Sequence, residues 1–245
     1  MIATGNTILI TGGSSGIGFA LAKRFLDLDN KVIITGRNKE KLQRIKALYP
    51  TIECFSGDLT DKNSLDELVF FIEQNHSDLN VLVNNAAVQY NYQFSEEQNL
   101  TYKVDYEISI NLMAPIKLTA LLLPLLLRNK NSAVINVGSG LFIAPKKSAP
   151  VYCATKSAIH SFSKTLRYQL EETNIKVFEI VPALIDTPMT EGRGKSKLTP
   201  EQLVDEFMCN FKANKFESYI GKTKLLKLIN RLSPKLSDRI MKNGL

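Results

Sequence analysis

Histidine and cysteine are scarce in this chain, and each scarcity closes a route to function. The 245 residues hold two histidines, His76 and His160, in unrelated segments. Neither belongs to a constellation with the spacing of a zinc site or a Ser-His-Asp triad. The three cysteines, Cys54, Cys153 and Cys209, are far apart, odd in number and without C-x-x-C spacing. That pattern predicts reduced, mostly buried thiols rather than a disulfide frame. No apolar run approaches the roughly 18 residues of a membrane span. The longest, LTALLLPLLL (118–127), carries Pro124 and predicts a buried or interface helix. MIATGNTILI at the start has no basic stretch and no cleavage site, so no signal peptide and a cytoplasmic location are expected.

What is there is 44% apolar and 22% charged, the composition of a globular protein with ample length for a core. The net charge of +7 is concentrated at one end. Residues 222–245 carry Lys222, Lys224, Lys227, Arg231, Lys235, Arg239 and Lys242 against Asp238 alone, a net +6. Among these cations Leu225, Leu228, Leu232, Leu236 and Ile240 recur at three- and four-residue steps. One apolar and one cationic face fit weak peripheral contact with an anionic membrane, or a partner groove. The alternative is a terminal helix packed on its own domain or on a twin subunit. Pro234 divides the stretch into two short helices. Nucleic acid is not an expected partner, because no aromatics are interleaved with the charge.

Short β-branched runs at 7–11, 31–35, 52–56, 80–84, 133–137 and 176–181 alternate with helical patterns at 17–28, 38–48, 62–76, 104–128 and 151–172. Strands this apolar are covered on both faces, and helical crossovers between them require a parallel sheet. The expected fold is a single α/β domain over 1–245, a doubly wound parallel sheet of Rossmann type with a basic C-terminal helical extension at 222–245. No strand is expected after 181. The polar segment 190–202 reads as a surface loop before another helix, with Thr199 as N-cap and Pro200 at the first helical position.

ILITGGSSGIGFALAKRF (8–25) puts glycines directly after the first strand and at the mouth of the first helix. Gly12 allows the tight turn, Gly16 lets the backbone approach a pyrophosphate, and Gly18 permits close helix–strand packing. The free N–H groups of the first helical turn then face phosphate. At the end of the second strand stands Arg37, where an NAD-selective fold places a carboxylate. A guanidinium there pairs with a 2′-phosphate, so NADP(H) is preferred. A solvated arginine that merely starts a helix leaves NAD(H) as the alternative.

TGGSSGIG, then NNAA (84–87), Asn111, Ser139 and YCATK (152–156), in that order over about residues 5–190, resembles the short-chain dehydrogenase/reductase family. The opening of the chain also resembles bacterial oxidoreductases of the teichoic acid D-alanylation locus type, which by itself names no substrate. The family resemblance implies that Tyr152 is the general acid/base and that Lys156 binds the nicotinamide ribose and lowers the phenol pKa. It further implies that Ser139 orients the substrate oxygen and that Asn111 supports a proton relay. Gly12, Ser14, Ser15, Gly16, Ile17 and Gly18 would surround the phosphates, and Asp58 and Leu59 the adenine. Asn85, Ala86 and Ala87 would line the adenine-ribose region, and Pro182, Ile185 and Thr187 would hold the carboxamide. NNAA and PA (182–183) stand where the family carries N-N-A-G and P-G. A small-molecule carbonyl or alcohol substrate and a homo-oligomer, dimer or tetramer, are implied as well. A coenzyme-binding sensor or scaffold without turnover is the rival reading.

Independent of the resemblance, side chains at i and i+4 share a helix face, so Lys156 lies beside Tyr152. Bringing a phenol from its ordinary 10 to about 7 requires about 4 kcal/mol, and the expected source is that cation with the coenzyme's charge. Cys153 reads as a packing residue. Substrate specificity is expected at about 184–216, with Leu184, Met189, Leu198, Phe207, Met208 and Phe211, and with Leu141 and Phe142 after the serine. The alternative for these is plain core.

Overall fold

The computed structural model describes residues 1–194 and 196–244. Lys195, within the expected specificity segment, and Leu245, at the end of the basic extension, lie outside the described residues. Seven strands form one parallel sheet: β1 (Thr7–Ile10), β2 (Lys31–Gly36), β3 (Glu53–Ser56), β4 (Val81–Asn84), β5 (Ser132–Val137), β6 (Ile175–Pro182) and β7 (Glu217–Ile220). Their order is β3-β2-β1-β4-β5-β6-β7. The register sets Ile8 of β1 between Val32 of β2 and Val81 of β4.

Nine α-helices connect and cover these strands among the described residues: α1 (Gly16–Leu26), α2 (Lys39–Leu48), α3 (Lys62–Asn75), α4 (Leu100–Ile108), α5 (Ala114–Arg128), α6 (Pro150–Gln169), α7 (Pro200–Lys212), α8 (Thr223–Leu232) and α9 (Pro234–Met241). Alternation along the strands splits the core in two. Ile8, Ile10, Ile34, Val83 and Ile180 meet α1, α2 and α7, including Phe25, Phe207 and Phe211. Leu9, Ile33, Leu82 and Val134 face the other way onto α3, α5 and α6. A strand with period two and both faces apolar has to be covered on both sides, which makes this a doubly wound Rossmann-type fold.

The six expected strands are present within two residues of their expected ends, and β7 is additional. ESYI is short and half polar, so it carries no strand signature of its own; pairing with β6 through Ile180↔Ser218 and Pro182↔Ile220 makes it a strand. A strand followed by Gly221 therefore does occupy the C-terminal side of the sheet, contrary to the reading that none follows 181.

The expected helix at 104–128 begins earlier, at Leu100, and runs to Arg128 as α4, a π-helical turn at Ser109–Met113, and α5. This helical stretch of 29 residues is longer than the run read from the sequence; it is long enough for a membrane span and contains an 18-residue window with a mean hydropathy of 1.9. Half of that window is buried, and Leu118, Leu122, Leu125 and Leu126 pack into the second core. Pro124 sits on the exposed side inside α5, where water can satisfy the carbonyl one turn back.

Thr199 caps α7, accepting from the Gln202 N–H while the Gln202 side chain accepts from the Thr199 N–H, and Pro200 opens the helix. Phe207, Met208 and Phe211 from the expected specificity segment are core residues on this helix. The thiols are less uniform than expected: Cys153 is buried, Cys54 intermediate and Cys209 exposed.

Candidate active site

Strand order reverses between β1 and β4, where consecutive crossovers leave to opposite faces and open a crevice at the carboxyl ends of the strands. Gly12 and Gly16 have φ of +62° and +54°, conformations that admit glycine with least strain. A Cβ on Gly12 would meet Ala86 Cα at 2.9 Å, and one on Gly18 would meet Asn85 Nδ2 at 2.4 Å and the Gly12 carbonyl at 2.5 Å. Gly18 thus makes room for Asn85 and the loop rather than for the strand itself. Ser15, the N-cap of α1, makes no side-chain cap, which leaves the N–H groups of the first turn facing the crevice.

The crevice has a volume of about 260 Å³, and Gly12, Ser14, Ser15, Gly16, Ile17, Arg37, Leu59, Asn85, Ala86, Ala87, Tyr152, Lys156, Pro182 and Thr187 line it. Ile185 lines the neighbouring cavity instead, while Gly18, Asp58 and Asn111 line neither. A glycine cradle, open helix N–H groups and a buried lysine lining the same slot fit a dinucleotide. Thr11, which sequence reading passes over, holds this region together. Its hydroxyl donates to the Val83 carbonyl (3.2 Å) and accepts from the N–H groups of Asn85 and Ala86 (2.9 and 3.0 Å). Asn85 Nδ2 in turn donates to the carbonyls of Thr11 and Gly12.

Asp58 accepts from the N–H and hydroxyl of Thr60 and from the Tyr106 hydroxyl. Its carboxylate also lies 4.0 Å from Arg37, whose guanidinium stacks on the Tyr106 ring and donates to the Tyr106 hydroxyl. Arg37 therefore stands at the end of β2 with a carboxylate beside it that the local sequence does not reveal. Asn111, at the π turn, is clamped to the Val88 backbone: its Oδ1 accepts from the Val88 N–H (2.8 Å) and its Nδ2 donates to the Val88 carbonyl (2.9 Å).

Pro150 opens α6 as expected. Tyr152 and Lys156 are both buried on one face of it, the ammonium 5.6 Å from the ring centroid. Lys156 Nζ donates to the Val137 carbonyl at the end of β5 (2.8 Å). Burial pushes the Tyr152 phenol up to about 12, with the adjacent Ser139 hydroxyl acting in the other direction. Burial likewise pulls Lys156 down to about 8, opposed by the charge of Glu179. The expected shift of the phenol toward 7 draws on the lysine together with the coenzyme's charge; in the protein alone, burial dominates and the phenol is raised. The Lys156 ammonium is engaged by the Val137 carbonyl, and the largest influence on the phenol is its loss of water. Cys153, beside the tyrosine, has its thiol raised by burial and is a packing residue.

Behind Lys156, the buried Glu179 of β6 lies 2.7 Å from His160 Nδ1, and its Oε1 has no hydrogen-bond partner among the described residues. His160, four residues beyond Lys156, stacks on Phe142 with centroids 3.8 Å apart. Neither residue stands out in the sequence, because their pairing joins α6 to β6.

A second cavity, about 440 Å³, opens on the other side of Tyr152. Ser139, Leu141, Leu184, Ile185 and Met189 form its inner wall, and Leu225, Leu226, Ile229, Ile240 and Met241 from α8 and α9 its outer wall. The basic extension is thus part of the site. The structure gives Leu141, Leu184 and Met189 of the expected specificity residues to this cavity and gives Leu198 and Phe142 to packing.

The family described as short chain dehydrogenase matches residues 6–198. DltE of Bacillus subtilis, an uncharacterized oxidoreductase, is 41% identical over 223 residues, covering 89% of this chain and 88% of that protein. An uncharacterized oxidoreductase of Staphylococcus epidermidis is 31% identical over 204 residues, 80% of this chain and 86% of its own. Among solved structures, a short chain dehydrogenase from Burkholderia cenocepacia in complex with NADP superposes with a TM-score of 0.87 at 21% identity, over 99% of this chain and 100% of that one. One from Burkholderia phymatum in complex with NAD gives 0.85 at 17%, over 100% and 98%.

Proposed function

The chain belongs to the short chain dehydrogenase family, and from that premise we propose that it is an NADP(H)-dependent reductase of a small-molecule carbonyl compound. The observation that carries the reading is Tyr152: a phenol kept protonated, beside Ser139, where the two cavities meet. The glycine-lined crevice and Lys156 would hold a nicotinamide coenzyme, which would supply the hydride for reduction of a carbonyl. The Tyr152 hydroxyl gives its proton to the carbonyl oxygen, completing the alcohol, and the Ser139 hydroxyl holds that oxygen in place. Lys156 uses one N–H on Val137 and keeps two for ribose hydroxyls. Its charge favours the phenolate left after proton transfer. Asn111 fixes the loop at Val88 beside this group.

Arg37 at the end of β2 supports preference for the 2′-phosphate of NADP(H). Asp58, which competes for the same cation, keeps NAD(H) as the alternative. A homo-oligomer is part of the reading, supported by the exposed Met113, Leu121 and Leu127 of the long helical stretch, and a cytoplasmic location is proposed with it. So is peripheral contact with an anionic membrane surface, supported by the exposed leucines and lysines of α8 and α9.

The decisive measurement is turnover of NADPH and NADH with a panel of ketones and aldehydes by wild type and Tyr152→Phe. The variant is expected to lose about 10²- to 10⁴-fold in kcat/KM with unchanged NADPH affinity. Retained turnover would overturn the assignment of Tyr152. Wild type that binds NADPH but reduces no carbonyl would favour a coenzyme sensor or scaffold.

A further inference from the structure

The cavity beyond Tyr152 is apolar over most of its wall, and the charges on it are all of one sign. Lys146, Arg193 and Lys222 line it, and among the described residues no aspartate or glutamate does. Lys222 is exposed to water, whereas Lys146 and Arg193 are half-buried. Neither of these two forms an ion pair among the described residues. Lys146 Nζ donates to Asn91 Oδ1 (3.2 Å), and Arg193 Nη1 donates to Gln89 Oε1 (2.7 Å). Neutral amide oxygens orient both cations without compensating either charge. The two are close enough to act on each other: burial first, and then the charge of Arg193, pulls Lys146 below its ordinary value. Half-buried like charges on one wall repel, and a ligand anion placed between them relieves both. They line the substrate-side cavity and not the dinucleotide crevice, so the coenzyme's phosphates do not account for them.

We propose that this cavity takes a carbonyl compound bearing an anionic group, carboxylate or phosphate, which Lys146 and Arg193 bind, with its apolar body against Leu141, Leu184, Met189 and Leu226. The identity of the substrate as a carbonyl rests on the reductase reading; the anion site does not. Gln89 and Asn91 act as positioning residues that hold the cations at the wall. Apolar flanks and two cations together select against both neutral and doubly polar molecules of the same size, because each would leave one part of the wall unmatched.

The test is equilibrium binding to the full chain saturated with NADP, measured by calorimetry with octanoate, octyl phosphate and octanol as probes. At least one of the two anions is expected to bind about ten- to a hundred-fold more tightly than octanol, as charge-assisted hydrogen bonds confer. Lys146→Gln and Arg193→Gln should each remove most of that advantage while octanol binding is unchanged, and Lys146→Arg should retain it. The comparison of carboxylate with phosphate says which anion the cations prefer. Equal affinity of wild type for octanol and both anions, or anion binding unaffected by both glutamine variants, would overturn the proposal. Because no turnover is read, anion binding in an enzyme that reduces no carbonyl would leave this site standing and sink the reductase reading alone.

Discussion

At single residues the site is governed by burial as much as by charge. Tyr152 and Lys156 are moved in opposite directions by the same loss of water, the phenol up to about 12 and the ammonium down to about 8, so each is held nearer its neutral form. Glu107 of α4 shows the same effect with a readout in stability. Its carboxyl is pushed up from 4.5 to about 7 by burial; among the described residues its Oε1 accepts only the Tyr90 N–H and its Oε2 has no partner. A carboxyl raised in the folded state favours folding fully below about 4.5, and the contribution is lost as pH rises through about 7. Thermal melts of wild type should therefore fall between pH 5 and pH 8, and Glu107→Gln should flatten that slope. A gain at pH 8 on the order of 2 kcal/mol is expected. Parallel slopes for the two proteins would show that Glu107 is charged and paired.

At the scale of elements, α6 and β6 act as one device. Helical spacing lines up Tyr152, Lys156 and His160, and β6 brings Glu179 against the far end of that row. Gly138, after β5, leaves the necessary room: a Cβ there would meet Glu179 Oε1 at 2.5 Å. Glu179 opposes the effect of burial on Lys156, so Glu179→Gln should lower the lysine further and uncharge it at a lower pH. The alkaline limb of kcat/KM should move toward neutrality, with a loss at pH 8 of about three- to ten-fold. An unchanged pH profile would leave Glu179 with a packing role only. Asn111 illustrates the converse case, in which the side chain was legible in a motif but the π turn that carries it was not. An extra residue per turn is a backbone event with no residue pattern of its own.

At the scale of the whole molecule, the basic extension walls the cavity beyond Tyr152 and also forms an outer surface. Leu226 and Met241 pack on Ala144, Leu141 and Ile143, while Lys224 and Lys227 tie α8 to Glu206 and Glu217. Leu225, Leu228, Leu232 and Leu236 are left exposed, Leu232 by 77%. Of the face read from the leucine spacing, Leu228, Leu232 and Leu236 turn outward, while Leu225 and Ile240 also border the cavity beyond Tyr152. Exposed leucines beside a net +6 match an anionic lipid surface. Vesicles rich in anionic lipid should pellet wild type at low salt, and Leu228→Ser combined with Leu232→Ser should reduce the bound fraction several-fold, by about 1 kcal/mol or more for each leucine withdrawn from lipid. Equal pelleting would discard the membrane contact. A change of oligomeric state in light scattering would assign the face to a second copy instead.

The doubly wound sheet, the glycine turn and the Tyr152–Lys156 spacing were set by the chain itself, because they depend on periods of two and 3.6 residues and on backbone angles only glycine adopts readily. What the amino-acid order could not decide were contacts between segments distant along the chain. Asp58 beside Arg37, Glu179 behind Lys156, Lys146 with Arg193 on one apolar wall, and β7 as a strand all arise only when the sheet is closed. Charge state and ligand choice depend on distance and burial in three dimensions, and for those the tertiary structure was decisive.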